Sequence, residues 1–383
     1  MDKPTVQDIF HRFYPAYLDQ YSPSPVQAKV AHNIMNCKTG AYGANVCVCE
    51  DCGFVQIHYN SCRNRCCPMC QAVPKEMWMD ARREDVLDAP YFHLVFTVPD
   101  ILNPVIYSNQ RLLYDALYHA ASSTISELTA DPKHLGAKVG YICILHTWGS
   151  EMNFHPHIHT ILLGGGLASN NQWKDNGENF FLPIRVISKM FRGKYLEELK
   201  RLWEEDKLVF HGTAEKFRNH YTFKELLDSC YGMDWIPHCK KTFNGAQTVI
   251  KYLGKYTHRI AVSNHRIVRM DDDTVTFLVK DYRNEGQWKE LTISGVEFVR
   301  RFLMHVPPRR FVRIRHYGLL CSRTKSQKLT LCRNLLGCKK YLSKLRDMEM
   351  PEILEHLYGI KVCVCKACGG HLGEPQMRMS LRC

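Results

Sequence analysis

The densest group of potential metal ligands in the chain is Asn153-Phe154-His155-Pro156-His157-Ile158-His159. In an extended strand alternate side chains face the same way. His157 and His159 would therefore present two imidazoles from one face while Ile158 packs behind. Neutral imidazoles converging in this way are good donors for a divalent cation. His155 and His159 would lie about 13 Å apart along such a strand, too far to share an ion comfortably. Pro156 predicts a strand that begins only after it, which leaves His155 in a loop or a supporting role. The triple glycine Gly164-Gly165-Gly166 predicts the strand's end.

A second group is Tyr252-Leu253-Gly254-Lys255-Tyr256. On a helix the two tyrosines fall at i and i+4 and share a face. Lys251, Lys255 and Arg259 surround them with positive charge. A phenol with a pKa of about 10 is a poor nucleophile at neutral pH. It becomes competent when a cation polarises the phosphate under attack and neutralises the developing charge. Paired tyrosines on a helix are commonly packing residues, so the chemistry of this pair depends on the histidines.

The 18 cysteines are clustered, with seven between Cys47 and Cys70 and three between Cys363 and Cys368. Cys49-x-x-Cys52 followed by Cys67-x-x-Cys70 has the spacing of two chelating loops that wrap one tetrahedral zinc ion. Cys47, Cys62 and Cys66 are surplus: one could replace a primary ligand, or Cys62 and Cys66 could help hold a second ion. Cys363-x-Cys365-x-x-Cys368, with Cys383 or His371 beyond it, could form another zinc site.

These groups need elements to position them. The segment 1–36 has apolar residues at helical spacing (Ile9, Phe10, Phe13, Tyr17) and is broken at Ser22-Pro23-Ser24-Pro25. Residues 71–88, 107–131, 187–206 and 249–258 also read as helices. Tyr91 to Val98 reads as a buried strand, Tyr141 to Trp148 and His157 to Leu163 as a hairpin, and Thr274 to Val279 and Trp288 to Ile293 as a further strand pair. The fold class is α+β. The predicted division is a helical and zinc-binding domain at 1–88, a catalytic domain at 89–265 and a basic region at 266–383 with the extra cysteine cluster at its end.

Composition sets the partners. Hydrophobic residues make up 45% of the chain, enough for packed cores, and no apolar run approaches the ~20 residues of a membrane-spanning helix. The start carries no basic flank and apolar core of a secretion signal, so the reading is a cytosolic protein in which clustered thiols are metal ligands. The net charge is +13, and from Arg300 to Arg346 there are 14 Lys/Arg and no Asp or Glu. Aromatic residues interleave with these charges (Phe302, Phe311, Tyr317), which predicts a folded surface for a polyanion, DNA or RNA.

Taken together, the motifs resemble the two-tyrosine rolling-circle transposases of the HUH class, the group of insertion sequence ninety-one. The resemblance is carried by Asp8-Ile9-Phe10, Asn60-Ser61-Cys62-Arg63-Asn64-Arg65 before Cys67-Pro68-Met69-Cys70, and Pro90-Tyr91-Phe92-His93-Leu94-Val95-Phe96-Thr97. It continues through His146-Thr147-Trp148-Gly149, the histidine cluster, Tyr252 to Arg259, Asn264-His265-Arg266-Ile267 and Arg313-Ile314-Arg315-His316-Tyr317-Gly318. The resemblance implies a central antiparallel sheet with flanking helices, a magnesium or manganese ion at His157 and His159, and Tyr252 and Tyr256 as nucleophiles. It further implies cleavage of single-stranded DNA through a 5′-phosphotyrosine link, with the ends of the protein's own mobile element as partners, contacted by residues such as Lys251, Lys255, Arg259, Arg313 and Arg315. Gln247, His258 and His93 are candidates for the third ligand. The chain departs from the family pattern at Cys66, where His is usual, at Ser150, where Gln is common, and at Ala246-Gln247, where Pro-Glu is usual. A replication initiator or relaxase would share the chemistry, a non-catalytic zinc-dependent nucleic-acid-binding protein would share the charge, and a zinc hydrolase lacks a Glu base of the HExxH kind.

Overall fold

The computed structural model describes residues 3–175, 182–235, 237–243, 254, 260–281, 285–373 and 377–379. Gln247, Lys251, Tyr252, Lys255, Tyr256, His258, Arg259 and Cys383 lie outside the described residues. The chain begins with α1 (Val6–Gln20) and α2 (Pro25–Met35), each opened by a capping box, Thr5 with Asp8 and Ser24 with Gln27. The Ser-Pro repeat between them is thus the cap and first turn of a new helix. A short hairpin, β1 (Ala44–Val48) and β2 (Val55–Tyr59), and α3 (Ala72–Arg83) follow.

The central sheet uses β3 (Tyr91–Thr97), then, after α4 (Asn103–Ser108) and α5 (Gln110–Ala130), the long hairpin β4 (Lys138–Trp148) and β5 (Phe154–Leu167). The short β6 (Trp173–Asp175) precedes α6 (Ile184–Glu204), α7 (His220–Gly232) and β7 (His238–Phe243). A second sheet is formed by β8 (Ile267–Met270), β9 (Thr274–Asp281) and β10 (Gln287–Ser294), followed by α8 (Gly295–Met304). The remaining elements are β11 (Ile314–Gly318), α9 (Lys325–Leu336), α10 (Met350–Tyr358) and β12 (Met377–Met379).

The order in the central sheet is β11-β4-β5-β3-β7, with β6 beside β5, and every pairing is antiparallel. Strand alternation gives the sheet two distinct faces. Phe92, Leu94, Phe96, Cys143, Leu145, Ile158 and Leu162 point to one side and pack with Leu113, Leu117, Phe191 and Leu226 of the helical layer α5–α7. Each fully buried side chain of that size contributes about 1.5–3 kcal/mol, so this layer anchors the sheet. Tyr91, Ile142, Ile144, Ile161 and Leu163 point to the other side, against Met79 of α3 and Leu329 and Cys332 of α9. The architecture is therefore α+β with a central antiparallel sheet and flanking helices, as the sequence predicts.

Packing crosses the predicted segment boundaries. α1 and α2 bury Ile9, Phe10 and Ile34 against Phe298 and Phe302 of α8 and Phe277 of β9, with the Phe10 ring edge-on to Phe302 at 5.2 Å. β11, from the basic region, completes the central sheet beside β4. The 149–153 loop of the long hairpin plugs into this second unit: Met152 is buried there. Arg301 Nη1 donates to the Glu151 carbonyl at 3.0 Å, Arg266 Nη2 donates to that of Ser150 at 2.6 Å, and His305 Nε2 donates to that of Met152 at 2.9 Å.

Two strand boundaries differ from the reading of the sequence. β5 begins at Phe154, before Pro156. The β4–β5 register shifts between His146 and Trp148, opposite that proline, so the missing N–H falls at an irregularity where it costs no ladder bond. The triple glycine lies inside β5 rather than ending it. A Cβ on Gly164 would come within 2.8 Å of the Phe92 ring and 2.9 Å of the Pro90 carbonyl, and one on Gly165 within 2.8 Å of the Lys174 carbonyl. Crowding by neighbouring strands, not a turn, requires glycine there.

Candidate active site and metal centres

His157 and His159 of β5 lie side by side on the face opposite the helical layer, and the register brings His146 of β4 directly across from His157. The ligand nitrogens of the three lie within 4.8 Å of one another, and all three residues are buried. His157 Nε2 and His159 Nε2 are 3.0 Å apart. The ring of His146 stands edge-on to His159 at 4.5 Å and is stacked on Trp148 at 4.6 Å.

Hydrogen bonds fix which nitrogen faces inward. His157 Nδ1 donates to the His155 carbonyl at 2.7 Å, so Nε2 keeps its lone pair. His159 Nδ1 is bonded to His93 Nε2 at 2.9 Å, which leaves Nε2 of His159 for the centre. Burial pushes the pKa of His157 down to about 4 and that of His159 well below 6.5, so both are neutral near pH 7. His157 and His159 are thus neutral, oriented imidazoles whose outer nitrogens are held by a second group, and together with His146 they could hold a divalent metal ion.

The predicted pair thus comes together, and His146 is the member that the sequence reading missed. The signal was present: the hairpin alternation that puts Ile142 and Ile144 on one face puts His146 there as well. His93, a candidate third ligand, lies one layer out and holds His159. His155 is set apart, half-exposed, with Nδ1 at 3.2 Å from an Asp100 carboxylate oxygen.

Of the tyrosine segment, Gly254 is described, and it is buried. A Cβ built on it would overlap the Met79 sulfur. Met79 belongs to the apolar cluster on the histidine side of the sheet, so the residue between Tyr252 and Tyr256 packs on that side. Of the three arginines predicted to contact DNA, the two that are described, Arg313 and Arg315, are engaged within the protein. Arg315 pairs with Asp115 and lies over the Tyr118 ring at 4.0 Å. Arg313 lies over Trp148 at 5.5 Å, and burial lowers its pKa.

Among the described residues, eight of the cysteines form two groups of four, each with its sulfurs within 4.8 Å of one another. Cys67 and Cys70 meet Cys37 and Cys62, with Cys62 Sγ 3.8 Å from Cys70 Sγ. Cys49 and Cys52 meet Cys365 and Cys368. The two CxxC pairs read as one zinc site are therefore not brought together, and each finds its partners elsewhere in the chain. Cys62 joins a group, whereas Cys66 stands outside both, its thiol pushed up to about 11 by burial. Lone Cys37 carries no spacing signal, and the joining of Cys365 and Cys368 to a loop more than 300 residues earlier could not be read from local pattern.

Three convergent imidazoles and two knots of four thiols give this basic chain three groups that could hold metal ions. Family models place it more closely. Residues 9–98 match a model described as "Transposase zinc-binding domain" and residues 140–328 one described as "Putative transposase". The chain is 40% identical over 97% of its length, and 94% of the relative's, to a protein of Sinorhizobium fredii named "Putative transposase y4qJ". It is 30% identical to the transposase for insertion sequence element IS801 of Pseudomonas savastanoi, over 79% of this chain and 72% of that one. Among solved structures, a copper-bound conjugative relaxase TrwC in complex with oriT DNA aligns over 69% of this chain and 92% of that chain at 13% identity, with a TM-score of 0.27. The chain belongs to the IS91/IS801 family of transposases.

Proposed function

We propose that this transposase cuts single-stranded DNA at the ends of its own mobile element and carries the cut strand on a tyrosine. The observation that carries the reading is the cluster His146, His157 and His159, with its three ring nitrogens within 4.8 Å of one another. Gly254 packing against Met79 on the same side of the sheet supports Tyr252 and Tyr256 as the nucleophiles that meet it.

The three imidazoles would hold one divalent ion through Nε2 of His157 and His159 and a nitrogen of His146, and the donor set favours manganese over the more oxygen-loving magnesium. Such an ion, when bound, polarises the scissile phosphate and neutralises charge on it. The phenol oxygen of one tyrosine attacks phosphorus, forming a tyrosine–phosphorus bond to the 5′ side as the bond to the 3′ oxygen breaks. The phenol proton passes to solvent and the departing oxygen takes one up, leaving a 3′-hydroxyl. Because the phosphoester is exchanged rather than hydrolysed, a later attack by a 3′-hydroxyl rejoins strands without a nucleotide cofactor. Lys251, Lys255 and Arg259 would offset the phosphate charge, the second tyrosine would serve a second exchange, and Cys37, Cys62, Cys67 and Cys70 would hold the zinc of the N-terminal domain.

The test is incubation of the full chain with a single-stranded oligonucleotide from the element's end and manganese, followed by a denaturing gel. A covalent protein–DNA adduct that disappears in the Tyr252→Phe/Tyr256→Phe double variant is the expected result. Tight binding with no adduct in the wild type would leave a zinc-dependent DNA-binding protein instead.

A further inference from the structure

The small sheet at the chain's N-terminal side is built from both ends of the sequence, with order β12-β1-β2. Among the described residues, its core contains four buried hydrophobic residues, Cys47, Cys49, Cys365 and Leu372. Burial on that scale cannot fold a module of this size, and small modules of this kind are usually held by a metal or by disulfides. Its cysteines are free thiols.

The thiols themselves have the right arrangement. Cys49 Sγ lies 3.5 Å from Cys368 Sγ, and Cys52 Sγ lies 3.8 Å from Cys365 Sγ. A tetrahedron of sulfurs about 2.3 Å from a zinc ion has edges of about 3.8 Å. The two loops that supply them are built alike. In one, Cys49 N donates to the Phe54 carbonyl at 2.9 Å and Gly53 N to that of Cys49 at 3.0 Å. In the other, Cys365 N donates to the Gly370 carbonyl at 2.8 Å and Gly369 N to that of Cys365 at 2.9 Å. Each CxxC is closed by a glycine in the left-handed region, Gly53 at φ 69° and Gly369 at φ 77°. Backbone N–H groups of Ala367 and Gly370 point at the sulfurs of Cys365 and Cys368, at 3.3 and 3.4 Å, as donors do toward thiolates.

We infer that Cys49, Cys52, Cys365 and Cys368 bind a second zinc ion, which clasps the C-terminal segment onto the N-terminal domain. The family models cover residues 9–98 and 140–328, so half of this ligand set lies beyond both. On binding, the four thiols release their protons to solvent and the four thiolates close the shell. The clasp is reinforced by backbone bonds across the junction, Glu50 N to the His371 carbonyl at 3.2 Å and Gly373 N to that of Val48 at 3.2 Å. It makes the two ends of the chain one unit, independent of the histidine centre.

Shared ligation has a signature that separate sites lack. Zinc content of the full chain is measured by elemental analysis for wild type, Cys49→Ser/Cys52→Ser, Cys365→Ser/Cys368→Ser and the combination of all four. Each double variant is expected to lose one equivalent, and the fourfold variant to lose no more than one. Cobalt replacement gives a second readout that does not depend on serine variants folding. Cys49→His and Cys365→His, which each keep a ligand, should shift the same thiolate–cobalt absorption band. Full zinc retention in Cys365→Ser/Cys368→Ser, additive loss of two equivalents in the fourfold variant, or an unshifted cobalt spectrum in Cys365→His would overturn the inference.

Discussion

Replacing His93 by Phe separates a ligand from the residue that orients it. Phe is a slightly larger flat ring that keeps the aromatic packing but cannot bond His159 Nδ1, now held at 2.9 Å. His159 loses the partner that fixes its ring and its tautomer. Partners of that kind are worth 10–100-fold in metal affinity, about 1.4–2.7 kcal/mol. The unpaired buried nitrogen adds a stability cost of about 1–3 kcal/mol. Calorimetric titration of manganese into the His93→Phe and His146→Ala chains reads the difference, with single-turnover cleavage of an oligonucleotide alongside. His93→Phe should bind 10–100-fold more weakly, with cleavage recovered at high manganese. His146→Ala should lose affinity further and should not recover. An unchanged affinity in His93→Phe would refute the orienting role. A loss that excess metal cannot restore would make His93 a ligand and displace His146 from the centre.

Other consequences concern charge. Arg309 and Arg310 are exposed, whereas Arg315 pairs with Asp115 and covers Tyr118. Arg309→Ala/Arg310→Ala should therefore flatten the salt dependence of single-strand binding by about 1.4 in the log–log slope, at ~0.7 per phosphate contact. Arg315→Ala should lower the thermal midpoint and leave that slope unchanged, and the reverse pattern would show that Arg315 faces DNA. Burial depresses His305 to about 4. At neutral pH the group is uncharged in both states. Below 6.5 the unfolded chain takes up a proton that the folded chain refuses, so stability falls between pH 6.5 and 4, by about 3 kcal/mol for this residue. Denaturant unfolding of the metal-free chain across that range should show the fall and His305→Gln should shrink it. A profile identical in the two chains would contradict the assignment.

The fold was legible where periodicity and burial agreed. The run from Tyr91 to Val98 and the hairpin around the histidines are β-rich runs buried on both faces, the strand pair after Thr274 alternates, and all stand within a few residues of their predicted places. Pro156 and the triple glycine misled because their reasons are tertiary: an irregular register and neighbouring chains at close approach. His157 and His159 announce themselves through i, i+2 spacing. His146 needs the register of two strands to join them, and the thiol groups need partners that no local spacing encodes. Cys37 is a lone residue, and Cys365 closes with Cys52 across 313 positions.

The most direct test of the account is a structure of the full chain loaded with manganese, with anomalous scattering to locate the ion. A single manganese peak coordinated by His146, His157 and His159, with the hydroxyl of Tyr252 or Tyr256 facing it across a gap that admits one phosphate, is the predicted result. A peak elsewhere, or both phenols buried away from the histidines, would contradict it.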